Sequence, residues 1–400
     1  MTLEQAEDLL INRSLPVIAA RQQIDVAEAA RRVAGLRTNP NLQVLAEQLP
    51  FYSNIAGGAP NFYRTTAGAA MPTYSAELSQ LFERGNKRQL RSEQAQYLVD
   101  FTRAQSVDVL RDQLLQLRQA FTAALLAKAN LQLAEETDKQ YAETERLMLI
   151  RLRGGEIAEV DLDRVRAARL PFLQAVLDAR LAYENATKQV IALLGSSKAR
   201  LGPQAPGLAG DLDRNVQLPP VQELIEMAGK ERPDLKAASS QQQAAEVGTR
   251  LAEAQRKRDV YGAVLMQRTG QDYAVGGSVT FPLFVYNKQK EAIAQAAATQ
   301  RVAASQVNAL SLQVENDVER AYETVQSTRQ ALNLYTNEVL ERSRSIRSII
   351  TYSYQRGEAD LLEVLDAQRS ANQILTGYNQ ARAAYLNAYW NLQYAVGRSF

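Results

Sequence analysis

The sequence contains no cysteine and no histidine. Disulfide bonds, thiolate or imidazole metal sites, nucleophiles activated by histidine and a histidine pH switch are therefore excluded. The 46 basic and 44 acidic residues are interleaved and leave a net charge of +2, a balance that does not favour nucleic-acid binding. The chain therefore lacks the side chains that enzymes use most often.

Long hydrophobic runs are also missing, because no stretch reaches the roughly 18 consecutive apolar residues of a membrane-spanning helix. Any membrane contact must then use β-strands. The opening MTLEQAEDLL lacks the basic and apolar regions of a secretory signal. We expect either that the protein stays inside the cell or that a leader was removed.

Alanine, glutamine, leucine, arginine and glutamate dominate what is present, and only 7% of the residues are aromatic. This composition is typical of long packed helices. A chain of 400 residues also exceeds the usual size of one hydrophobic core. We therefore expect several domains or one elongated body, mainly α with a small β part.

The sequence contains an internal repeat. ARLAYENATKQVIALLG (179–195) aligns with ARAAYLNAYWNLQYAVG (381–397) at an offset of 202, with seven of seventeen positions identical. Residues 19–32 align with 237–250 at an offset of 218. The sequence thus predicts two structural repeats, 1–205 and 221–400, joined by a connector at 206–220.

Each repeat is predicted to contain a helix, two strands, a long helix and a return helix. No glycine or proline interrupts residues 86–153 or 287–356, so each long helix would span on the order of 100 Å. Valine, leucine and isoleucine recur every seven residues at 318, 325, 332, 339 and 346, which predicts a left-handed coiled coil. A soluble coiled-coil scaffold explains these features equally well.

The strands favour a membrane protein. YSAELSQLF (74–82) alternates apolar and polar residues, and 260–284 contains two strands around RTGQD. We place four strands at approximately 41–48, 73–82, 259–267 and 273–283. About ten residues suffice to cross an outer membrane, and open edges are not tolerated in lipid, so several chains must close one barrel. Small soluble caps on a coiled coil are the alternative.

Four sets of segments follow one another along nearly the whole chain: TLEQAEDLLINRSLPVIAARQQIDVAEA, LFERGNKR with LFVYNKQK, RGGEIAEVDLDRVRA with QRGEADLLEVLDAQRSA, and the terminal Ala-Tyr-Asn repeats. In these segments and in their order, the chain resembles the outer-membrane efflux proteins, the TolC-like channel-tunnels. The chain is similar in detail to members that serve proton-driven tripartite pumps, including the CzcC-like branch.

This resemblance implies a homotrimer whose chains form a 12-stranded β-barrel in outer-membrane lipid and a helical tunnel in the periplasm. It also places the connector 206–220 in the equatorial region of that tunnel. It implies a passive exit duct that opens when a periplasmic adaptor protein and an inner-membrane transporter dock. Such a duct is not an enzyme, and we expect it to have neither a cofactor nor a resident metal. The outer-membrane component of a type I protein secretion system is an alternative. Family members often carry lipid on an N-terminal cysteine, so here the anchor was trimmed or never existed.

The Arg-Gly-Glu segments after the long helices have a structural and a functional interpretation. Glycine ends a helix in the left-handed conformation, while arginine and glutamate suit the adjoining helix ends. The resemblance further implies that these turns form the mouth that meets the adaptor. The residues concerned are Arg153, Gly154, Gly155, Glu156, Arg356, Gly357 and Glu358.

Glu363 and Asp366 match the acidic pair that lines the narrow entrance in this family, with glutamate at the first position where aspartate is more familiar. Residues three apart share one helix face, and threefold symmetry would make each a ring of carboxylates that attracts cations. Asp161 occupies the equivalent place in the first repeat. The alternative is that Glu363 and Asp366 are only surface residues at the solvent-exposed start of a helix.

Other classes of protein fit less well. A cytosolic scaffold or a membrane-curving helical dimer predicts a basic concave stripe and no alternating segments. A metal-binding enzyme or chaperone would have only carboxylates as ligands, beside five scattered methionines.

Overall fold

A computed structural model describes residues 1–47, 72–196, 207–214, 216–356 and 358–398. The helices are α1 (Leu3–Arg13), α2 (Leu15–Ala34), α3 (Lys87–Arg153), α4 (Glu159–Leu193), α5 (Val221–Glu231), α6 (Pro233–Ala254), α7 (Lys290–Asn333), α8 (Asn337–Gln355) and α9 (Leu361–Val396). The strands are β1 (Asn41–Glu47), β2 (Thr73–Phe82), β3 (Val260–Thr269) and β4 (Asp272–Thr280). The mainly helical fold with one small sheet is confirmed. No helix within these ranges is long and apolar enough to cross a membrane.

The internal repeat is visible in the helices that open each copy. Helices α1 and α5 have 11 residues each, and α2 and α6 begin two residues beyond them, at an offset of 218. The breaks fall at Ser14 and Arg232, which both have extended backbone. Arg232 precedes Pro233, and a residue before proline is disfavoured in the helical region. The proline ring itself suits the first position of α6.

A left-handed glycine packs against each of these breaks. Gly195, after α4, has φ +72°, and a Cβ added there would lie 2.5 Å from the carbonyl oxygen of Arg13. Gly397, after α9, has φ +88°, and a Cβ there would lie 3.1 Å from the Cα of Arg232. Only glycine allows both the conformation and the close approach, so each return helix ends at a fixed point on the opening helix pair.

The second long helix is divided, which corrects the prediction of one rod over 287–356. Helix α7 ends at Asn333 and α8 begins at Asn337, although neither glycine nor proline intervenes. The Thr336 side chain accepts a hydrogen bond from the Val339 N–H (3.3 Å) and so caps α8. The break directs Tyr335 towards α9, where a Cβ on Gly377 would lie 2.5 Å from the tyrosine oxygen. Gly377 therefore provides the space that Tyr335 occupies.

The break also shifts the buried positions. Val318 and Val325 are fully buried as the seven-residue pattern predicts, but Val339 and Ile346 are exposed. Leu340 and Ser343 are buried instead. Within the chain, the predicted heptad positions therefore pack inward only as far as Leu332, because the non-helical residues change the angular phase of every later side chain.

One compact unit contains Met1–Gln23, Arg103–Lys236 and Ala309–Phe400. Its largest core cluster includes Leu10, Leu117, Phe121 and Trp390. The connector joins this core through the buried Leu208 and Leu212. The Arg382 guanidinium forms ion pairs with the carboxylates of Asp211 and Asp213, so the connector is fastened by charge as well as by packing.

The other unit contains Ile24–Thr102 and Ala237–Asn308. Its strands form one antiparallel sheet in the order β1-β2-β3-β4. The fourth strand ends at Thr280, before the predicted 283, since Pro282 has no N–H to donate to a neighbouring strand. Residue 48, the predicted end of the first strand, lies outside the described residues.

The two faces of the sheet differ in an unusual way. One face, which we call the apolar face, is exposed and carries in adjacent strands Leu42, Val44, Ala46, Tyr74, Ala76, Leu78, Phe82, Val264, Met266, Tyr273, Val275 and Val279. In β2 the opposite face carries Ser75, Glu77 and Ser79, which are less exposed than the apolar residues between them. A water-soluble sheet has the reverse distribution.

We expect Gly195→Ala to lower the stability of the fold by about 2 kcal/mol or more, because alanine disfavours the left-handed conformation and its methyl group would meet the Arg13 carbonyl. The midpoint of chemical denaturation measures this change. Gly229→Ala is the matched control: it lies in α5 with nothing within 4 Å, and should leave stability unchanged or raise it by up to about 1 kcal/mol. Equal midpoints for the two variants would contradict the proposed contact.

Candidate functional site

The first predicted turn follows α3. The Gly155 N–H donates to the Leu152 carbonyl (3.0 Å) and the Glu156 N–H to the Arg151 carbonyl (2.9 Å), which closes the end of the helix. Gly155 has φ +73° and nothing within 4 Å of an added Cβ. Arg153, Gly154, Gly155 and Glu156 are all exposed. The turn thus presents an uncovered surface to solvent.

The second predicted turn follows α8. Arg356 caps this helix and places its guanidinium 4.6 Å from the centre of the Tyr352 ring. The Glu358 N–H donates to the Ser353 carbonyl (2.9 Å). Arg356 and Glu358 are exposed, and Gly357 lies outside the described residues.

Glu363 has a local structural role in the chain. The Asp360 N–H donates to its carboxylate (3.1 Å), while the Asp360 carboxylate accepts from the Leu361 N–H (2.6 Å). Together they form a capping box at the start of α9. The pattern Asp-Leu-Leu-Glu is a recognisable capping sequence, so the capping role of Glu363 can be read from the sequence.

Asp366 and Asp161 each lie near an arginine one turn further along. Asp366 is 3.9 Å from Arg369, and its side chain is 64% exposed. Asp161 lies 3.3 Å from Arg164 in the first turn of α4. These distances join exposed i,i+3 pairs, which contribute little to stability. Both carboxylates therefore lie where a ligand or a second chain could reach them.

A buried cluster beneath the turns holds the two helical hairpins together. It comprises Tyr141, Met148, Leu162, Val165, Tyr354, Leu361, Val364 and Leu365. The Tyr354 hydroxyl lies 2.6 Å from the Met148 sulfur, and the Arg151 guanidinium donates to the Tyr354 carbonyl (3.0 Å). Burial raises the pKa of the Tyr354 hydroxyl, although the neighbouring Arg151 guanidinium opposes this shift. The structure therefore brings both turns onto one tyrosine, a contact that the sequence did not indicate.

Polar contacts connect α3 with α9 above this cluster. Asn379 donates to Asn130 (3.3 Å), Thr137 donates to Asn372 (3.1 Å) and Gln368 donates to Thr144 (3.3 Å). The α3 members of these pairs are seven residues apart. We call these three pairs the polar ladder.

An ion-pair network joins α3 to α4. The Arg169 guanidinium binds Asp138 (2.8 Å) and Glu145 (2.9 Å), and Arg166 also reaches Glu145 (3.1 Å). Hydrogen bonds from Arg169, and then from Arg166, lower the pKa of Glu145 below its ordinary value of 4.5. Within the described ranges, no acidic residues are grouped so that they could hold a metal ion.

Comparison with known proteins finds a family model that matches part of the chain. Residues 224–398 match the family model described as Outer membrane efflux protein. The predicted resemblance to this family of TolC-like efflux channels is therefore confirmed, and the match covers most of the second repeat. The family consists of channels rather than enzymes.

The whole chain shares its fold with solved outer-membrane channels. These include OprN (TM-score 0.79, 17% identity, 99% of this chain and 90% of that one), VceC of Vibrio cholerae (0.76, 18%, 100% and 96%), and the open state of MtrE of Neisseria gonorrhoeae (0.78, 17%, 99% and 89%). At these identities the similarity is one of fold. No curated protein matches the chain.

We expect Arg169→Ala to destabilise the α3–α4 hairpin by about 1 to 2 kcal/mol, because it leaves two carboxylates without their shared partner. The Glu145 ion pairs stabilise the fold above the ordinary glutamate pKa of 4.5 and are lost as the pH falls through the lowered value, so the variant should also lose less stability on acidification. Denaturant titrations from neutral to acidic pH measure both effects.

The matched control is Arg146→Ala. Arg146 is an exposed arginine of α3 whose ion-pair partner, Glu143 (2.9 Å), lies on the same helix. The stability of this variant should change by less than about 0.5 kcal/mol. If Arg146→Ala and Arg169→Ala cost the same, the network does not hold the hairpin.

Proposed function

We propose that this chain is one third of an outer-membrane exit duct, a passive channel for efflux that opens at its periplasmic end. The family match supports efflux, and the shared fold supports a channel. The strands would lie in outer-membrane lipid, and the α3–α4 and α8–α9 turns would lie in the periplasm. In this arrangement, transport requires no catalytic group on the chain.

The apolar face is the observation that carries this proposal. Across the sheet, Val44, Ala76, Met266 and Val275 lie side by side, so apolar side chains form a continuous row across all four strands on an exposed surface. Strands β2, β3 and β4 have 9 or 10 residues, the length that crosses an outer membrane when tilted. A coiled-coil scaffold in water would have no use for such a surface.

The free edges of the sheet support a homotrimer. Strands β1 and β4 each have a single neighbour in the described sheet, and unpaired backbone groups are not tolerated in lipid. Three copies would pair β4 of one chain with β1 of the next and close a 12-stranded barrel. Exposed leucines at helical spacing on α4 (Leu170, Leu173, Leu177 and Leu181) and the exposed Val339 and Ile346 on α8 would then contact neighbouring chains.

The exposed turns are the proposed docking surface for a periplasmic adaptor protein. Arg153, Gly154, Gly155 and Glu156 form one surface, and Arg356 with Glu358 flanks the other; by the family resemblance Gly357 belongs to it. An adaptor bound there would link the duct to an inner-membrane transporter, which we propose to be proton-driven. Because both turns rest on Tyr354, a partner that separates them must disturb the buried cluster.

Glu363, Asp366 and Asp161 are the proposed constriction. Threefold symmetry would repeat each carboxylate three times around the entrance, and such rings attract cations and repel anions. The capping role of Glu363 is compatible with a position at the entrance, because Glu363 remains exposed to solvent. The α8–α9 hairpin would move outward when the adaptor docks and would widen the entrance.

We expect Val275→Arg to prevent stable insertion into lipid vesicles, because it places a charge in the middle of the apolar face at a cost of about 2 to 4 kcal/mol. Ala274→Arg is the matched control on the same strand, because its side chain projects from the opposite face. Protease protection of the vesicle-inserted sheet measures insertion. Equal insertion of the two variants would contradict a lipid-facing apolar face.

We expect the double variant Glu363→Ala/Asp366→Ala to raise single-channel conductance and to weaken block by polyvalent cations, because the entrance loses six carboxylates per trimer. Planar-bilayer recordings measure both quantities. A matched control, Glu338→Ala/Glu341→Ala, removes two exposed acids from the first turns of α8. Conductance and block that remain at wild-type values in the Glu363/Asp366 variant would remove these acids from the constriction.

A further inference from the structure

A cleft of about 520 Å³ lies where the sheet meets its helices within the second unit. It is lined by Arg37 and Thr38, which follow α2, and by residues 80–83 and 85–89, which connect β2 to α3. The Gln80 side chain donates to the carbonyls of Thr38 (2.9 Å) and Leu81 (3.0 Å) and so ties the two segments together. The cleft is thus a built feature of the junction. We call it the junction cleft.

The charges around the junction cleft leave it basic. Its one lining acid, Glu83, is bound by both terminal nitrogens of Arg91 at 2.6 and 2.9 Å. The ammonium of Lys87 is likewise bound, to Asp259 (2.8 Å) and to the Lys257 carbonyl (2.7 Å). In each of these ion pairs, the charge of one side chain is neutralised by its partner.

Two guanidinium groups remain in the lining after these pairs are counted, those of Arg37 and Arg88. Arg37 is exposed and Arg88 is half-buried. The planar fork of N–H donors on each guanidinium is well suited to the oxygens of a phosphate group. The polar side chains of Thr38 and Asn86 add further hydrogen-bonding groups to the same lining.

The junction cleft also touches the apolar face. Phe82 lines the cleft, and its side chain is 58% exposed at the helix-proximal end of the face that carries Tyr74 and Leu78. A ligand in the cleft would therefore contact charged donors on one side and the apolar face, beginning at Phe82, on the other. This combination matches a phospholipid, with a phosphate headgroup and acyl chains, better than a free anion.

We propose that the junction cleft binds the headgroup of an anionic phospholipid through Arg37 and Arg88, with the acyl chains against Phe82 and the apolar face. This inference rests on the proposed membrane position of the sheet. Basic pockets beside membrane-spanning segments commonly select anionic headgroups. The lipid would occupy the leaflet next to the helices and would fasten the start of α3 to the membrane surface.

Native mass spectrometry of the detergent-solubilised protein tests the proposal by counting retained lipids. Phosphatidylglycerol and phosphatidylcholine with identical acyl chains are the probes, and inorganic phosphate is the competitor. We expect the wild type to retain phosphatidylglycerol preferentially. Arg37→Gln/Arg88→Gln should need on the order of tenfold more phosphatidylglycerol for the same occupancy. The control Arg256→Gln/Arg301→Gln removes two exposed arginines of the same unit outside the cleft and should behave as wild type.

Crosslinking of the wild type gives a readout that does not depend on how the variants fold. A phosphatidylglycerol with a photoreactive group beside its headgroup should label peptides containing residues 37–38 or 80–89. Labelling elsewhere, equal retention of the two lipids, or an equal loss in the control variant would overturn the site. Displacement by millimolar inorganic phosphate would show an anion site without lipid selectivity and would also overturn it.

Failure of this proposal can be told apart from failure of the proposed function. If the wild type inserts into vesicles of phosphatidylcholine alone and the arginine variants bind lipid as the wild type does, the duct stands and the headgroup site is wrong. If the wild type does not insert into any vesicle, the membrane position itself is wrong.

Discussion

The contact between a left-handed glycine and a helix break sets the position of each hairpin. Gly195 and Gly397 end the return helices α4 and α9, and each touches the break in the opening helix pair of its own copy. The approach is so close that a methyl group would collide with backbone atoms. Since one end of each return helix is fixed there, its length determines where the opposite end, with its exposed turn, must lie.

The duplication shows how one architecture tolerates different local chemistry. At the first break Ser14 is fully buried, whereas the equivalent residue of the second copy is Arg232. Arg232 is 5% exposed, and its guanidinium binds Asp234 (2.6 Å), Asp317 (3.3 Å) and the Ala395 carbonyl (3.3 Å). A buried charge requires such partners, so the second copy contains an ionic cluster where the first contains a small side chain. The backbone path is nevertheless the same.

Much of the architecture could be predicted from period and spacing. The alternation in 74–82 indicated a strand that the structure places at Thr73–Phe82, and the shared offset indicated matching helices in the two copies. These features succeed because they depend on patterns that extend over many residues.

The features that the sequence patterns did not predict depend on individual contacts. The break after Asn333 depends on one threonine cap and on the space that Gly377 leaves for Tyr335, neither of which changes the hydrophobic period. The Tyr354–Met148 contact joins residues 206 positions apart, so no local pattern reports it. Asp360 and Glu363 have the spacing of a capping box, so the local role of Glu363 within one chain is readable from the sequence.

The polar ladder limits how α9 can move along α3. Its α3 members recur every seven residues, as do Asn372 and Asn379 on α9. A lengthwise slide of α9 finds new hydrogen-bond partners for these asparagines only after a full heptad, about 10 Å, while any shorter slide leaves the side chains of the polar ladder without their partners. Piston-like travel is therefore disfavoured, and the low-cost movement of this hairpin is a sideways swing.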